Sequence, residues 1–124
     1  MGTPNKMVLY NDDITRVAEI SKFIDANFDQ QLNVKNLCKK FTISSSTLQR
    51  HFISCYDKPV SIYIRRCRMF QAMALIIEHS IPISQIGFAV GYNHRSAFTH
   101  AFTKFFGKPP AFFSRSTPGN NELI

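Results

Sequence analysis

The sequence predicts an all-α fold in which two small helical subdomains are joined by one long helix. Three observations lead to this prediction. A segment of about fifty residues occurs twice, each copy spaces its apolar residues at helical intervals, and residues 60–78 contain neither proline nor glycine. With 124 residues, the chain is long enough for one domain or for two subdomains that share a limited core.

An amphipathic helix is predicted to open the first subdomain, which we place at residues 12–58. Asp12 or Asp13 is expected to cap this helix, because a carboxylate accepts hydrogen bonds from the first N–H groups of a helix. The residues before this cap, 1–11, and those at the other end, 116–124, are expected to be flexible termini. The apolar residues at helical spacing are Ile14, Val17, Ala18, Ile20, Phe23, Ile24 and Phe28.

The repeat relates two stretches of the chain that follow one pattern. An offset of 49 residues aligns the first part of each copy, and an offset of 50 aligns the remainder. One pair of copies is too few for a solenoid, so two related subdomains explain the repeat better. The aligned residues are Val34, Leu37, Phe41, Ile43, Ser46, Leu48, Arg50, Phe52, Lys58 and Pro59 with Ile83, Ile86, Val90, Tyr92, Ser96, Phe98, His100, Phe102, Lys108 and Pro109, in that order.

Each copy is predicted to form a helix, a tight turn and a second helix, which is the helix-turn-helix arrangement. Asn33 and Ser44 are expected to cap the two helices of the first copy. In the second copy, Gly91 is expected to end the leading helix and Asn93 to cap the helix that follows. The residues predicted to face inward from the second helices are Leu48, Phe52 and either Ile53 or Tyr56, together with Phe98, Ala101, Phe102 and Phe105.

A linker helix is predicted over residues 59–79, ahead of a second subdomain at residues 80–115. Pro59 suits the first turn of a helix, where its missing N–H costs nothing. About 20 residues span roughly 30 Å at ~1.5 Å per residue, and half-sites on one face of B-DNA lie ~34 Å apart. A rigid helix of this length would hold two helices in successive major grooves. The apolar residues expected to pack from this linker are Ile62, Tyr63, Met69, Phe70, Met73, Ala74 and Ile77.

Positive charge is concentrated in the body of the predicted domain. Residues 30–115 hold twelve Lys and Arg against two acids, a net charge of +10, whereas the whole chain carries +7. Residues 1–29 carry a net charge of −2. A positive field in the folded body favours nucleic acid or another anionic surface as the partner.

Membrane proteins, secreted proteins and enzymes are disfavoured by the residues present. No apolar run approaches the length that crosses a bilayer, and the N-terminus lacks the apolar segment of a signal peptide. Three widely spaced cysteines predict neither a disulfide framework nor a zinc site, and they fit a cytoplasmic location. The chain has no glycine-rich phosphate loop, and residues 30–115 offer only Asp57 and Glu78 as acids. We therefore expect no enzyme activity, no metal ion and no cofactor.

The chain resembles the DNA-binding domain of the AraC/XylS family of bacterial transcription regulators over about residues 14–115. The first copy contributes the family-like stretch LCKKFTISSSTLQRHF, and the linker contributes YIRRCRMFQAMALI. The second copy carries the strongest match, in Ile86-Gly87, Gly91-Tyr92, Phe98 with Phe102, Gly107-Lys108-Pro109-Pro110, and Phe113 near Arg115.

This resemblance implies seven helices, two of them recognition helices, and sequence-specific binding to double-stranded DNA upstream of promoters. It also implies transcription activation, often through RNA polymerase. Most family members carry a separate effector-binding or dimerisation domain, whereas a few consist of the DNA-binding domain alone. The resemblance therefore implies a monomer, unless the chain is part of a longer protein with a dimerisation domain.

Three residues depart from the family pattern. Gly87 stands where the family usually has Ala, at a cost of ~1 kcal/mol in helix propensity, and a very close helix contact would require it. His100 stands where Arg is common, so we expect a weaker grip on DNA from the second recognition helix. Pro109 replaces the usual hydroxyl residue at the start of the last helix.

The outward positions of the two recognition helices carry the predicted DNA contacts. Gln pairs with adenine and Arg with guanine in the major groove, whereas Ser and Thr suit bases or phosphates. The alternative for these positions is an ordinary solvated helix face. The predicted DNA-binding residues are Ser45, Ser46, Gln49 and Arg50 in the first copy and His94, Arg95, Ser96, Thr99, His100 and Lys104 in the second.

Two functions are open at this point. The first is a sequence-specific DNA-binding transcription regulator, and the second is a protein-interaction module that keeps the fold without reading bases. Gly87 and His100 favour the second function because they depart from the family pattern.

Overall fold

The computed structural model describes the backbone of residues 3–115 and the side chains of residues 12–114. Seven α-helices and no strands occur in this part of the chain, which confirms the all-α prediction. The flexibility predicted for residues 116–124 concerns residues outside this range. The helices are α1 Thr3–Asn27, α2 Val34–Phe41, α3 Ser45–Tyr56, α4 Val60–Glu78, α5 Ile83–Ala89, α6 Arg95–Phe106 and α7 Pro110–Arg115.

The first helix begins earlier than predicted. Helix α1 starts at Thr3, so Asp12 and Asp13 lie inside the helix and do not cap it. Pro4 falls in the first turn, where a proline is tolerated, and neither proline nor glycine interrupts the chain from there to Asn27. The flexibility predicted for residues 1–11 stays a prediction.

The chain divides into two compact units inside helix α4, between Arg65 and Arg66. We call the segment up to Arg65 unit 1 and the segment from Arg66 onward unit 2. The predicted linker helix exists and runs from Val60 to Glu78. Its first residues belong to unit 1 and its later residues belong to unit 2, while the bounds predicted for the subdomains stay a prediction.

Unit 1 builds its core from one face of each of its helices. Tyr56 belongs to this core, since its ring lies 4.7 Å from that of Phe52 and its hydroxyl is 2.8 Å from the Ser21 hydroxyl. Ile53, the alternative considered for this position, is 46% exposed. The buried apolar residues are Val17, Ile20, Ile24, Leu37, Ile43, Leu48, Phe52, Val60 and Ile64.

Unit 2 packs its core around the inner face of α6. Phe98 and Phe102 are buried there as predicted, and Phe105 packs partly buried against them. Phe70 of α4 packs its ring 5.7 Å from that of Phe105 although it is 50% exposed, whereas Ile77 is 52% exposed. The buried core residues of this unit are Met69, Ala72, Ile76, Ile86, Val90, Phe98 and Phe102.

The internal repeat is present in the backbone. Helices α3 and α6 each have 12 residues, and α6 starts 50 positions after α3. Thr42 and Gly91, which the offset of 49 aligns, both have positive φ, at 52° and 105°. Asp57 and Gly107, which the offset of 50 aligns, also share this conformation, at 62° and 86°. The two copies therefore turn at the same points with different residues.

The predicted caps of the first copy are confirmed. Asn33 Oδ1 accepts a hydrogen bond from the N–H of Asn36 at 2.8 Å. Ser44 Oγ accepts one from the N–H of Thr47 at 3.2 Å.

The cap predicted for the second copy is wrong by one residue. Helix α6 begins at Arg95, so His94 and not Asn93 occupies the cap position, and His94 makes no side-chain capping bond. The extra residue of the second copy lies in this turn, so that His94 aligns with Ser44 at the offset of 50.

Candidate nucleic-acid interface

Helix α3 presents two different faces. Leu48 and Phe52 are fully buried in unit 1, whereas Ser45, Ser46 and Arg50 are exposed. Ser46 and Arg50 share a helix face because they are four positions apart, and Ser45 lies beside Ser46 at the exposed start of the helix. Three of the four residues predicted to contact DNA from this helix are therefore accessible together.

Gln49 is the fourth predicted residue, and its environment is different. Its side chain is half-buried, and its Oε1 accepts a hydrogen bond from the backbone N–H of Val60 at 3.1 Å. Pairing with adenine requires both the oxygen and the nitrogen of the amide to point into the groove. The base contact at Gln49 stays a prediction, and this hydrogen bond argues against it.

All six residues of the second copy that were predicted to contact DNA are exposed, in α6 or directly before it. His94 precedes the helix, Arg95 and Ser96 open it, and the others follow at helical spacing. Phe98 and Phe102 hold the opposite face in the core of unit 2. The exposed residues are His94, Arg95, Ser96, Thr99, His100 and Lys104.

The sequences of both helices are free of acidic residues. Neither the twelve residues of α3 nor the twelve of α6 include Asp or Glu. Arg50, Arg95 and Lys104 are exposed on them, and a surface with cations and hydroxyls but no carboxylates attracts phosphate. The local electrostatics thus agree with the net charge of +10 that residues 30–115 carry.

Helix α3 contacts α1 through a polar pair that lies away from the exposed face of α3. His51 Nε2 lies 3.0 Å from a carboxylate oxygen of Asp13, and the two side chains are only 16% and 25% exposed. This contact holds the helix in place next to Arg50. It also gives Asp13 a partner within unit 1 in place of the predicted capping role.

Basic residues outside the two helices make local contacts. The Arg66 guanidinium lies 4.9 Å from the ring centre of Phe70, and that of Arg68 lies 5.4 Å from the ring centre of Tyr92. Both distances are within the range of cation–π attraction. Lys40 similarly stands 5.0 Å from the ring centre of Phe23.

One exposed residue of α3 was not among the predicted contacts. Ile53 is 46% exposed and lies one turn after Gln49 and Arg50 on the outer surface of the helix. An apolar side chain at such a position can contact the methyl group of thymine. Helical spacing alone left Ile53 and Tyr56 as alternatives for the core, and the aromatic contacts of Tyr56 decide between them.

Other kinds of site receive no support from the described residues. No cluster of three or more His, Cys, Asp or Glu side chains within residues 12–114 is arranged to hold a metal ion. Among the helices that the structure describes, none is long and apolar enough to cross a membrane.

Known proteins share both the sequence pattern and the fold. A family model described as a helix-turn-helix domain matches residues 37–116. The Msm operon regulatory protein of Streptococcus mutans is 29% identical over 104 residues, which are 84% of this chain and 37% of that protein. The lactose operon transcription activator of Staphylococcus xylosus is 33% identical over 101 residues, which are 79% of this chain and 34% of that protein. The chain thus spans little more than a third of either relative.

The fold also matches solved structures. The DNA-binding domain of AdpA, a global transcriptional factor solved in complex with a target DNA, superposes with a TM-score of 0.79. It is 18% identical, and the match covers 87% of this chain and 97% of that domain. At this identity the likeness shows a shared arrangement of helices.

Proposed function

The chain belongs to the AraC-type helix-turn-helix family, and from this premise we propose that it binds double-stranded DNA sequence-specifically and regulates transcription. The family resemblance inferred from the sequence is thereby confirmed. The observation that carries the proposal is the pair of helices α3 and α6. Each buries an aromatic face in its own unit and exposes a face with basic and hydroxyl residues and no acid.

The proposed contacts divide into base readers and phosphate binders. Arg50 and Arg95 are the proposed guanine readers, because the guanidinium fork matches the O6 and N7 acceptors of guanine. Ser46 and Thr99 are proposed to contact bases or phosphates, and Lys104, near the end of α6, is proposed to contact the phosphate backbone. The exposed Ser45, Ser96, His94 and His100 complete the proposed surface.

Several finer features belong to the same proposal. We propose that the two recognition helices enter successive major grooves and that the protein activates transcription, with RNA polymerase as a partner. One of the matched relatives bears the name of a transcription activator, which supports activation as the direction of control. A cytoplasmic location and the absence of enzyme activity accompany this function.

Gly87 and His100 were the two residues that favoured a protein-interaction module, and the structure explains Gly87 in another way. Gly87 departs from the family pattern, but its Cβ position would lie 2.8 Å from Cβ of Phe98, so close packing accounts for the glycine. His100 alone does not favour the alternative, since Arg50 and Arg95 remain exposed on the recognition helices.

Selection of bound sites from a pool of random duplexes tests the function directly. We expect one enriched sequence, bound roughly 10³-fold or more tightly than random duplex at physiological salt. Equal and weak binding to all duplexes, measured by fluorescence anisotropy, would contradict the proposal.

Arg50 and Lys104 form a matched pair of substitutions for this assay. Arg50→Ala should weaken binding to the selected site by ~1–3 kcal/mol and relax the preference at one base pair. Lys104→Ala should weaken binding to all sequences alike, because a phosphate contact carries no sequence information. Unchanged affinity and unchanged preference in Arg50→Ala would remove α3 from the proposed interface.

A further inference from the structure

The first residue of helix α4 has a backbone N–H that finds no acceptor within the helix. Pro59 precedes the helix, and its carbonyl accepts the N–H of Tyr63 at 3.1 Å, as expected for the cap position. Val60 is that first residue and is fully buried in unit 1, so its N–H needs an acceptor from another part of the chain.

Gln49 supplies that acceptor from another helix. Its Oε1 lies 3.1 Å from the Val60 nitrogen, across a separation of 11 residues along the chain. Only the oxygen of an amide side chain can accept an N–H, so the hydrogen bond fixes which way the Gln49 amide points. The side chain thus ties the recognition helix α3 to the start of α4.

The second copy needs no side-chain acceptor at the corresponding helix start. The offset of 50 places Pro110 at the position of Val60 and Thr99 at the position of Gln49. Proline has no N–H to satisfy, and it is well suited to the first position of a helix. Thr99 is exposed, and together with Pro109 and Pro110 it borders an open cleft of about 170 Å³. The second copy has space at the point where the first copy has the Gln49 side chain.

We propose that Gln49 is a positioning residue for the first recognition helix and does not read a base. It holds α3 at a fixed position relative to the start of α4, so that Ser45, Ser46 and Arg50 face the major groove. Thr99, its counterpart, is free of this task and faces the DNA directly. This inference rests on the proposed DNA-binding function for its consequence, but the hydrogen bond can be tested without DNA.

The first experiment measures thermal unfolding of the free protein with two substitutions of similar size. Gln49→Met removes the acceptor and should lower Tm by about 3–6 °C, the shift expected for a lost helix cap in a chain of this length. Gln49→Glu keeps an oxygen acceptor at a helix N-terminus, which favours negative charge, and should retain most of the stability. An equal loss of Tm in both variants would overturn the proposal.

A second variant copies the solution that the chain itself uses in unit 2. Val60→Pro removes the N–H that Gln49 accepts and gives the same Pro-Pro pair as residues 109 and 110. In this background Gln49→Met should no longer lower Tm. The same loss in both backgrounds would show that Gln49 stabilises the protein in another way and would overturn the proposal. If Val60→Pro does not fold, the comparison of Gln49→Met with Gln49→Glu decides the question.

The third experiment separates positioning from base reading. On the site selected from random duplexes, Gln49→Met should weaken binding while leaving the order of base preferences unchanged at every position. Thr99→Ala serves as the matched control in the second copy, and it should alter the preference at a single position without lowering Tm. A changed preference at one position in Gln49→Met would assign Gln49 to base reading. If the wild-type protein shows no preference at all, the proposed function fails, and the coupling between Gln49 and Val60 is still decided by the thermal measurements.

Discussion

Gly87 illustrates how a single residue sets the distance between two helices. A Cβ at this position would lie 2.8 Å from Cβ and 2.9 Å from Cγ of Phe98. Every residue except glycine has a Cβ, and Cβ does not move when a side chain changes rotamer. Helices α5 and α6 would therefore have to separate if Gly87 were any other residue.

We expect Gly87→Ala to destabilise the protein by about 1–2 kcal/mol. Overpacking in a tight contact costs ~1–3 kcal/mol, and the better helix propensity of Ala returns up to ~1 kcal/mol. The midpoint of urea unfolding measures the net effect. Gln85→Gly, at an exposed position of the same helix, gives the size of the propensity contribution alone. A higher midpoint for Gly87→Ala would show that the two helices separate at little cost.

At the scale of single residues, the sequence predicts what depends on near neighbours. Asn33 and Ser44 bond to N–H groups three residues away, so their capping role follows from local spacing. The acceptor role of Gln49 depends on a residue 11 positions further along, Val60, which opens another helix. The close contact of Gly87 was anticipated from its departure from the family pattern, but only the structure identifies Phe98 as the partner.

At the scale of the elements, the turn inside each helix-turn-helix is made by a residue with positive φ. The second copy uses Gly91 there, whereas the first copy uses Thr42, at φ 52° and ψ 57°. A β-branched residue rarely adopts this left-handed conformation, because its side chain crowds the backbone. The first turn thus holds backbone strain that the second turn lacks.

Thr42→Gly should raise the stability of the protein by about 0.5–1 kcal/mol. The left-handed conformation costs a residue with a side chain ~1–2 kcal/mol, and the greater freedom of glycine in the unfolded chain offsets roughly 0.5–1 kcal/mol of this gain. Thr42 is exposed, so its removal costs little packing. Chemical denaturation monitors the change, and the reverse substitution Gly91→Thr should destabilise. A loss of stability in Thr42→Gly would indicate that the Thr42 side chain makes a contribution larger than the strain.

The boundaries of the helices were predictable where the chain carries a clear signal. Pro59 marks the start of α4, and the helix begins at the next residue. The start of α1 was missed because Asp12 and Asp13 resemble a cap although the helix continues before them to Thr3. The cap at Asn93 was missed by one position because the extra residue of the second copy lies in that turn.

At the scale of the whole molecule, charge governs the proposed association with DNA. Each phosphate contact releases counterions, and the logarithm of the affinity falls with the logarithm of salt concentration by about 0.9 per contact. With Lys104 as the proposed phosphate contact and a net charge of +10 over residues 30–115, we expect a slope at least as steep as about −0.9. Titrations at several salt concentrations measure it.

Substitutions refine this measurement. Lys104→Ala should make the slope shallower by roughly 0.9, whereas Arg50→Ala, at a proposed base-reading position, should change the slope less than Lys104→Ala does. Lys22→Ala provides the control. This exposed lysine lies in α1, within residues 1–29, whose net charge is −2, so its removal should leave the slope unchanged. An affinity that does not depend on salt would contradict an interface built on phosphate contacts.

The division of the molecule could not be derived from the sequence. The repeat predicted two related subdomains, and the run without proline or glycine predicted the long helix that joins them. It did not predict that the division falls between Arg65 and Arg66, since that depends on which neighbours each residue of α4 meets. Residues such as Phe70 and Ile77 fit the apolar helical pattern equally well whether they are buried or half exposed.

The aromatic clusters of the two units have a practical consequence for spectroscopy. Tyr56 and Tyr63 lie 5.4 Å apart in unit 1, and Tyr92 lies 5.7 Å from Phe98 in unit 2. The chain has four tyrosines and no tryptophan, and the fourth, Tyr10, falls outside the described side chains. Fluorine-labelled tyrosine would thus give each unit its own resonances, so the melting of one half can be followed separately from the other. A tryptophan introduced next to α6 would be the sole indole emitter and would report DNA binding without background.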